Sequence, residues 1–399
     1  MADSFIVDLP LAAGPEIVAI PGPSVMPERV LTAMHRAMPD IYEGELTEVI
    51  DEVFAALPQL VSTSGRVFVP FGNGHAGWEM ALANTLSRGD RVLVLDCGRF
   101  AAIWAEMAEF NGLSVELLTA EPGYAFEPSI LEAHLRADTN RTIKAVLTTH
   151  VDTATSVRND VPALRAAIDA ADHPALFMVD CIASMGCERF EMDTWGVDVT
   201  VAASQKGLMT PPGLAFVWAN EKAMTAHQTA DLRTRYWDWT YRTEDGPYYL
   251  RFCGTPPVSH LFGIREALAM IAEEGLERRW ERHHRLADAV RAAVGAWSSP
   301  DGLSLVARQP DQRSHSVTTI NTGVIDATEL RRRCRHSMGV TLGLGIGGDV
   351  SASFRIGHMG HVNAPMVLGV LGTIEAALIS MNAPLGGSGV AAAAATLSA

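Results

Sequence analysis

The chain has 399 residues, 48% hydrophobic and 19% charged, which gives a large core and two domains rather than a disordered or fibrous chain. Its net charge of −15 argues against nucleic acid or anionic membrane as the main partner, so an anionic substrate would need a local cluster of positive charge. No apolar run approaches the roughly 20 residues of a membrane span.

The start, Met1-Ala2-Asp3-Ser4, lacks a basic n-region, and no signal peptide is visible. Residues 1–25 are Pro-rich and weakly periodic and read as an arm rather than an element. Helical periodicity follows at 27–38 and 46–60. From residue 66, strand-like runs at 66–70, 91–96, 143–149, 175–180, 197–203 and 214–219 alternate with helical patterns at 75–86, 102–111, 128–137 and 162–171. The alternation predicts an α/β fold whose large domain, residues 26–270, holds a mostly parallel sheet covered on both faces. Ten residues separate the last two runs, too few for a helical crossover, so that pair is expected to be antiparallel. A helix at 257–274 leads to a smaller α+β C-terminal domain, residues 271–385. There the pattern predicts a helix at 278–297, strands near 304–307 and 316–321, and a helix at 327–336. The Gly- and Ala-rich tail, 386–399, reads as loosely held, with an Ala-rich helix at 390–395. The five cysteines are scattered and form no Cys-x-x-Cys pair, which fits reduced thiols in a cytoplasm and no metal site.

In such sheets ligands sit at the carboxyl ends of the strands, where Gly72, Thr149, Asp180 and Ser204 fall. Lys206 leaves a buried strand in Ser204-Gln205-Lys206-Gly207, and such an amine is costly to place unless something uses it. Asp180 ends the preceding apolar run, 26 residues earlier. A lysine and an acid so placed match a pyridoxal phosphate (PLP) site: the lysine forms the imine and the acid pairs with the pyridinium nitrogen. For Asp180 a helix cap, and for Lys206 a surface hairpin, are the plainer roles. The turn Gly72-Asn73-Gly74-His75 joins a strand to a helix and can present backbone N–H groups to a phosphate. Asn73 serves equally as a helix cap. Phe100 can stack on a flat ring or fill core. Thr153 can contact the ring hydroxyl or a substrate carboxylate, or simply belong to a polar loop. Arg355 lies in the apolar Phe354-Arg355-Ile356, where its planar fork suits a carboxylate; a structural ion pair would also account for it.

Three features are set aside. The turn Gly343-Leu344-Gly345-Ile346-Gly347-Gly348 has no following strand–helix–strand unit to bind a dinucleotide. His358 and His361 lack a carboxylate partner for a metal. His283 and His284 fall on a charged helical face and read as solvated.

With Lys206, Asp180 and the Pro211-Pro212-Gly213 turn, the chain resembles the class V, fold-type I PLP aminotransferases. Its motifs are most similar to those of the alanine–, serine– and aspartate–glyoxylate aminotransferases. Further matches are Pro21-Gly22-Pro23-Ser24, Gly74-His75, Thr255-Pro256-Pro257 and Arg355-Ile356-Gly357-His358. The resemblance implies that Lys206 is the Schiff-base lysine and Asp180 the pyridinium partner. It implies that Phe100 stacks on the ring and that Asn73, Gly74, His75 and Gln205 hold the phosphate. Thr255 would reach the phosphate of a neighbouring subunit's cofactor, in a homodimer with shared sites or a tetramer. Thr153 would touch the ring hydroxyl or substrate, and Arg355, with the backbone at Gly22, would bind the substrate carboxylate. The implied reaction moves an amino group from a small amino acid to glyoxylate or another small 2-oxo acid. Phe252 departs from the tyrosine of alanine-type members, and the aromatic stretch 233–249 reads as interface packing or a diverged pocket wall. Alternatives are a pyridoxamine–pyruvate-type aminotransferase, a desulfurase-like class V lyase, or a non-catalytic binding protein of the same fold.

Overall fold

The structure is a computed structural model and describes residues 11–242 and 246–399. The Met1-Ala2-Asp3-Ser4 start, the first ten residues of the arm, and residues 243–245 of the aromatic stretch lie outside the described residues.

The described chain opens with a short strand, β1 (Ile17–Ala19), and two helices, α1 (Glu28–Met34) and α2 (Glu45–Ala56). The expected helix at 46–60 splits: α2 gives way to a 3-10 turn over Leu57–Val61, where Pro58 cannot donate to the helical ladder. Next come β2 (Arg66–Phe68), β3 (Phe71–Gly72), α3 (Gly74–Thr85), β4 (Arg91–Asp96), α4 (Arg99–Phe110), β5 (Ser114–Thr119), α5 (Pro128–Ala137) and β6 (Ile143–Thr149). Then follow α6 (Val161–Ala170), β7 (Leu176–Asp180), β8 (Val199–Ala203), β9 (Gly213–Ala219) and α7 (Glu221–His227).

These strands form one sheet in the order β2-β9-β8-β7-β6-β4-β5, with β3 also on β9. β8, β7, β6, β4 and β5 run parallel, and β9 is antiparallel to β8, as the short connection required. The inner strands β7 and β8 are buried along their whole length and mainly apolar because helices cover both faces. Register aligns their carboxyl ends: Thr149 opposes Asp180, and Asp180 opposes Val201. Helix α3 lies unusually close to this sheet at Gly77, where a Cβ would stand 2.6 Å from Val201 Cγ1. That approach brings the start of α3 to the same edge.

Helix α8 (Val258–Glu274) leads into α9 (Leu276–Trp297), followed by β10 (Ser304–Leu305), β11 (Val317–Asn321), α10 (Ala327–Met338), β12 (Val340–Leu344), β13 (Ser353–Gly357), α11 (Ala364–Ser380) and α12 (Gly389–Ser398). The second sheet runs β1-β12-β13-β11-β10. Its core joins Phe354 and Ile356 to Trp297, Leu330, Leu371, Ile374 and Leu378. Two expectations are corrected here. The arm carries an element, because Ile17–Ala19 pairs in parallel with Val340–Leu342 of β12. The tail is held, because α12 packs on α9: Glu375 accepts from Trp297 Nε1 at 2.8 Å, Ser388 Oγ at 2.8 Å and Val390 N at 3.0 Å. Among the described residues no helix is long and apolar enough to cross a membrane.

Candidate active site

The β8–β9 turn is braced from within. Ser204 Oγ donates to Pro211 O at 2.6 Å and Thr210 Oγ1 to Ser204 O at 3.1 Å. Lys206 stands at its crown, and its Nζ donates to Pro21 O. The segment after β1 clasps the turn: Ser24 Oγ donates to Lys206 O at 2.6 Å and Ser24 N to Gln205 O at 2.9 Å. Gly22 has φ +101°, and a Cβ there would stand 2.5 Å from Lys206 Nζ, so only glycine lets the lysine pass. Burial lowers the Lys206 amine to about 8, the nearby Arg355 cation adds to this, and Asp180 opposes it.

Asp180, at the end of β7, is 3% exposed. Its Oδ1 accepts from Ile182 N at 2.6 Å. Burial pushes this carboxyl up to about 7, against the Ile182 N–H and with the Asp152 charge adding. No ion pair reaches it among the described residues. Beyond the Ile182 N–H, such a group needs a further cationic or N–H partner to stay ionised.

Both residues line one cavity, with Asn73, Gly74, His75, Phe100, Thr153 and Gln205 also on its wall. Asn73 Oδ1 caps α3 through His75 N at 3.1 Å, and the α3 start opens into the cavity. Gln205 Oε1 is buried with no hydrogen-bond partner. Phe100 sits in the first turn of α4, which starts three residues earlier than its periodicity indicated. Its backbone N–H donates to Asp152 Oδ2 at 2.7 Å. Asp152 also accepts from Ala154 N at 2.8 Å and Thr155 N at 3.1 Å, tying the end of β6 to the start of α4. Arg355, on β13, donates from Nη1 to Thr153 O at 2.9 Å and from Nε to Leu344 O at 2.8 Å, bridging the two sheets. Burial lowers its guanidinium to about 10, opposed by Asp152. Among the described residues no hydrogen bond occupies its Nη2.

Thr255 is exposed before α8 and does not line this chain's cavity. Arg99, Arg251 and Arg313 do not line it either. Arg251 pairs with Asp51 at 3.2 Å, and Phe252 packs edge-on to Phe54 at 6.0 Å. In the aromatic stretch Trp239 stacks on Phe68 at 4.5 Å, away from the cavity. The reading of His283 as solvated is corrected: it is fully buried, while His284 is half-exposed. His358 is buried too, and no cluster that could hold a metal occurs among the described residues. Sequence reasoning missed Trp78, Val151, Ile182 and Ala183 on the cavity wall. Trp78 carried a signal, since it lies three residues after His75 on one helical face and its ring stacks on the imidazole at 4.5 Å.

A lysine and an acid on neighbouring strand ends and an α3 start opening beside them fit PLP, and the fold and cavity define a fold-type I PLP enzyme. The aminotransferase class-V family matches residues 28–357. Serine–glyoxylate aminotransferase of Methylorubrum extorquens is 39% identical over 382 residues, covering 94% of each chain. L-aspartate–glyoxylate aminotransferase of Paracoccus denitrificans is 38% identical over 384 residues, again covering 94% of each. The crystal structure of ureidoglycine–glyoxylate aminotransferase from Bacillus subtilis superposes with a TM-score of 0.88 at 28% identity, covering 98% of this chain and 100% of that one. The chain belongs to the class-V aminotransferases and is a PLP-dependent aminotransferase.

Proposed function

We propose that the enzyme moves an amino group from a small amino acid to glyoxylate, through two half-reactions in one site. The observation that carries this reading is Lys206 and Asp180 on one small cavity, with Arg355 bonded to the cavity residue Thr153. When bound, PLP supplies an electron sink for charge developing at the substrate Cα. Asp180 would hold the ring N–H, and Phe100 would cover the ring face. Asn73, Gly74, His75 and Gln205 would hold the phosphate. Arg355 would take the carboxylate of donor and acceptor alike through its unengaged Nη2, and the Gly22 backbone would line that pocket. Lys206, lowered to about 8, keeps a usable unprotonated fraction near neutral pH and would carry the proton to and from Cα. The relatives named for serine–glyoxylate and aspartate–glyoxylate transfer support glyoxylate as acceptor.

We place the enzyme in the cytoplasm as a homodimer in which Thr255 serves the partner's site. A particle mass of one chain in light scattering would overturn the dimer. For the chemistry, Lys206→Ala is expected to lose the visible absorption band of bound cofactor and its turnover. Normal transamination by that variant would sink the assignment. Pyridoxal release from pyridoxamine and pyruvate would favour the pyridoxamine-type reading instead.

A further inference from the structure

The start of α9 joins both ends of the site. Arg279 is 2% exposed, an unusual place for a guanidinium. Its Nη2 donates to Gly207 O at 2.7 Å and its Nε to Gly186 O at 2.9 Å. Gly207 follows Lys206, and Gly186 lies in the turn after Asp180. Nη1 pairs with Glu274 Oε2 at 2.9 Å. Glu274 also takes Arg282 Nε at 2.5 Å, and Arg282 Nη1 donates to Val362 O at 2.7 Å. One turn on from Arg279, His283 Nδ1 must donate to Arg279 O, 2.7 Å away, because a carbonyl only accepts. Its Nε2 is then free to accept from Gly360 N at 3.0 Å. Gly360 follows β13, the strand of Arg355, by three residues. A Cβ on Gly360 would stand 3.3 Å from Lys206 O, so this turn lies directly against the lysine.

Residues 279, 282 and 283 share one helical face. That face grips the Lys206 turn on one side and the segment after Arg355 on the other. Ion pairs of the buried Arg279 and the partly buried Arg282 with the partly buried Glu274 add little to stability compared with apolar packing, so stability alone does not account for the cluster. We propose that Arg279, Arg282 and His283 are positioning residues: α9 fixes the separation between Lys206, at the substrate Cα, and Arg355, at its carboxylate. The inference rests on the roles of Lys206 and Arg355 proposed above.

The test compares the holoenzyme with its His283→Phe, His283→Gln and Arg282→Met variants, using serine and glyoxylate as probes. Cofactor occupancy and the visible band are expected to be retained in all four. KM for both probes should rise about tenfold in His283→Phe and Arg282→Met, since each probe binds through a carboxylate whose holder has shifted. His283→Gln keeps one donor and one acceptor and should return KM to within about threefold of the parent. Unchanged KM values, activity that falls only in step with cofactor occupancy, or no recovery in His283→Gln would overturn the proposal. Arg282 is only partly buried, so Arg282→Met decides the matter even where His283→Phe does not fold. Failure of the site reading itself would show separately, as retained turnover in Lys206→Ala.

Discussion

His358 shows how one buried side chain ties the second sheet to pH. Its Nδ1 donates to His315 O at 2.9 Å, and its Nε2 accepts from Thr318 Oγ1 at 2.9 Å, an arrangement only the neutral ring can make. Burial pushes it down to about 3, Arg291 adds to this, and Glu188 opposes it. The folded value lies below the unfolded value of 6.5, so the unfolded chain takes up the proton first as pH falls. The stabilisation is therefore complete above 6.5 and is lost as pH drops towards 3. His358→Asn should cost stability at pH 7, and that gap should narrow by on the order of 2 kcal/mol at pH 5. Urea unfolding at the two pH values measures it, and a gap that stays constant or widens would contradict the argument. The same chemistry explains what could be read from the sequence. Lys206 and Asp180 stood out because a charge at the end of an apolar run asks for a partner. Arg279 and His283 did not, because their partners are backbone groups of Gly207, Gly186 and Gly360, which only the fold brings to α9.

At the scale of elements, legibility followed burial. β4, β6, β7 and β8 are covered on both faces and spell mainly apolar runs, broken by few polar residues such as Lys144 and Thr200. β5 is an edge strand of mixed character and went unseen. α11 is apolar on most sides, so no polar face marked its period. β1 has three residues in a Pro-rich segment and exists because β12 pairs with it. The tail misled because alanine gives no amphipathic signal, yet a Cβ on Gly389 would stand 2.4 Å from the Trp297 ring. α12 therefore seals the second core. Ending the chain before α12 should cost on the order of 3 kcal/mol by exposing Trp297 and the α9 face. A denaturant midpoint that does not move would show that the tail is loosely held after all.

Over the whole molecule, the strongly acidic chain concentrates its site cations on two residues from different sheets. Lys206 rises from the first sheet, Arg355 from the second, and the segment between β1 and α1 runs between them. A Cβ on Gly357 would stand 2.3 Å from Ile20 O, and Gly22 meets Lys206. The N-terminal segment is thus packed between Lys206 and β13 rather than being a loose arm. We propose a large domain at 26–270 and a small one at 271–385, with β1 lent to the small sheet. With Arg355 as the proposed carboxylate holder for donor and acceptor alike, the two would use the site in turn. The most direct test follows the visible spectrum of the holoenzyme through one cycle. Serine or aspartate added alone should bleach the aldehyde band of the cofactor, and glyoxylate added afterwards should restore it with release of glycine. A band that no small amino acid bleaches, or that glyoxylate cannot restore, would contradict the assignment.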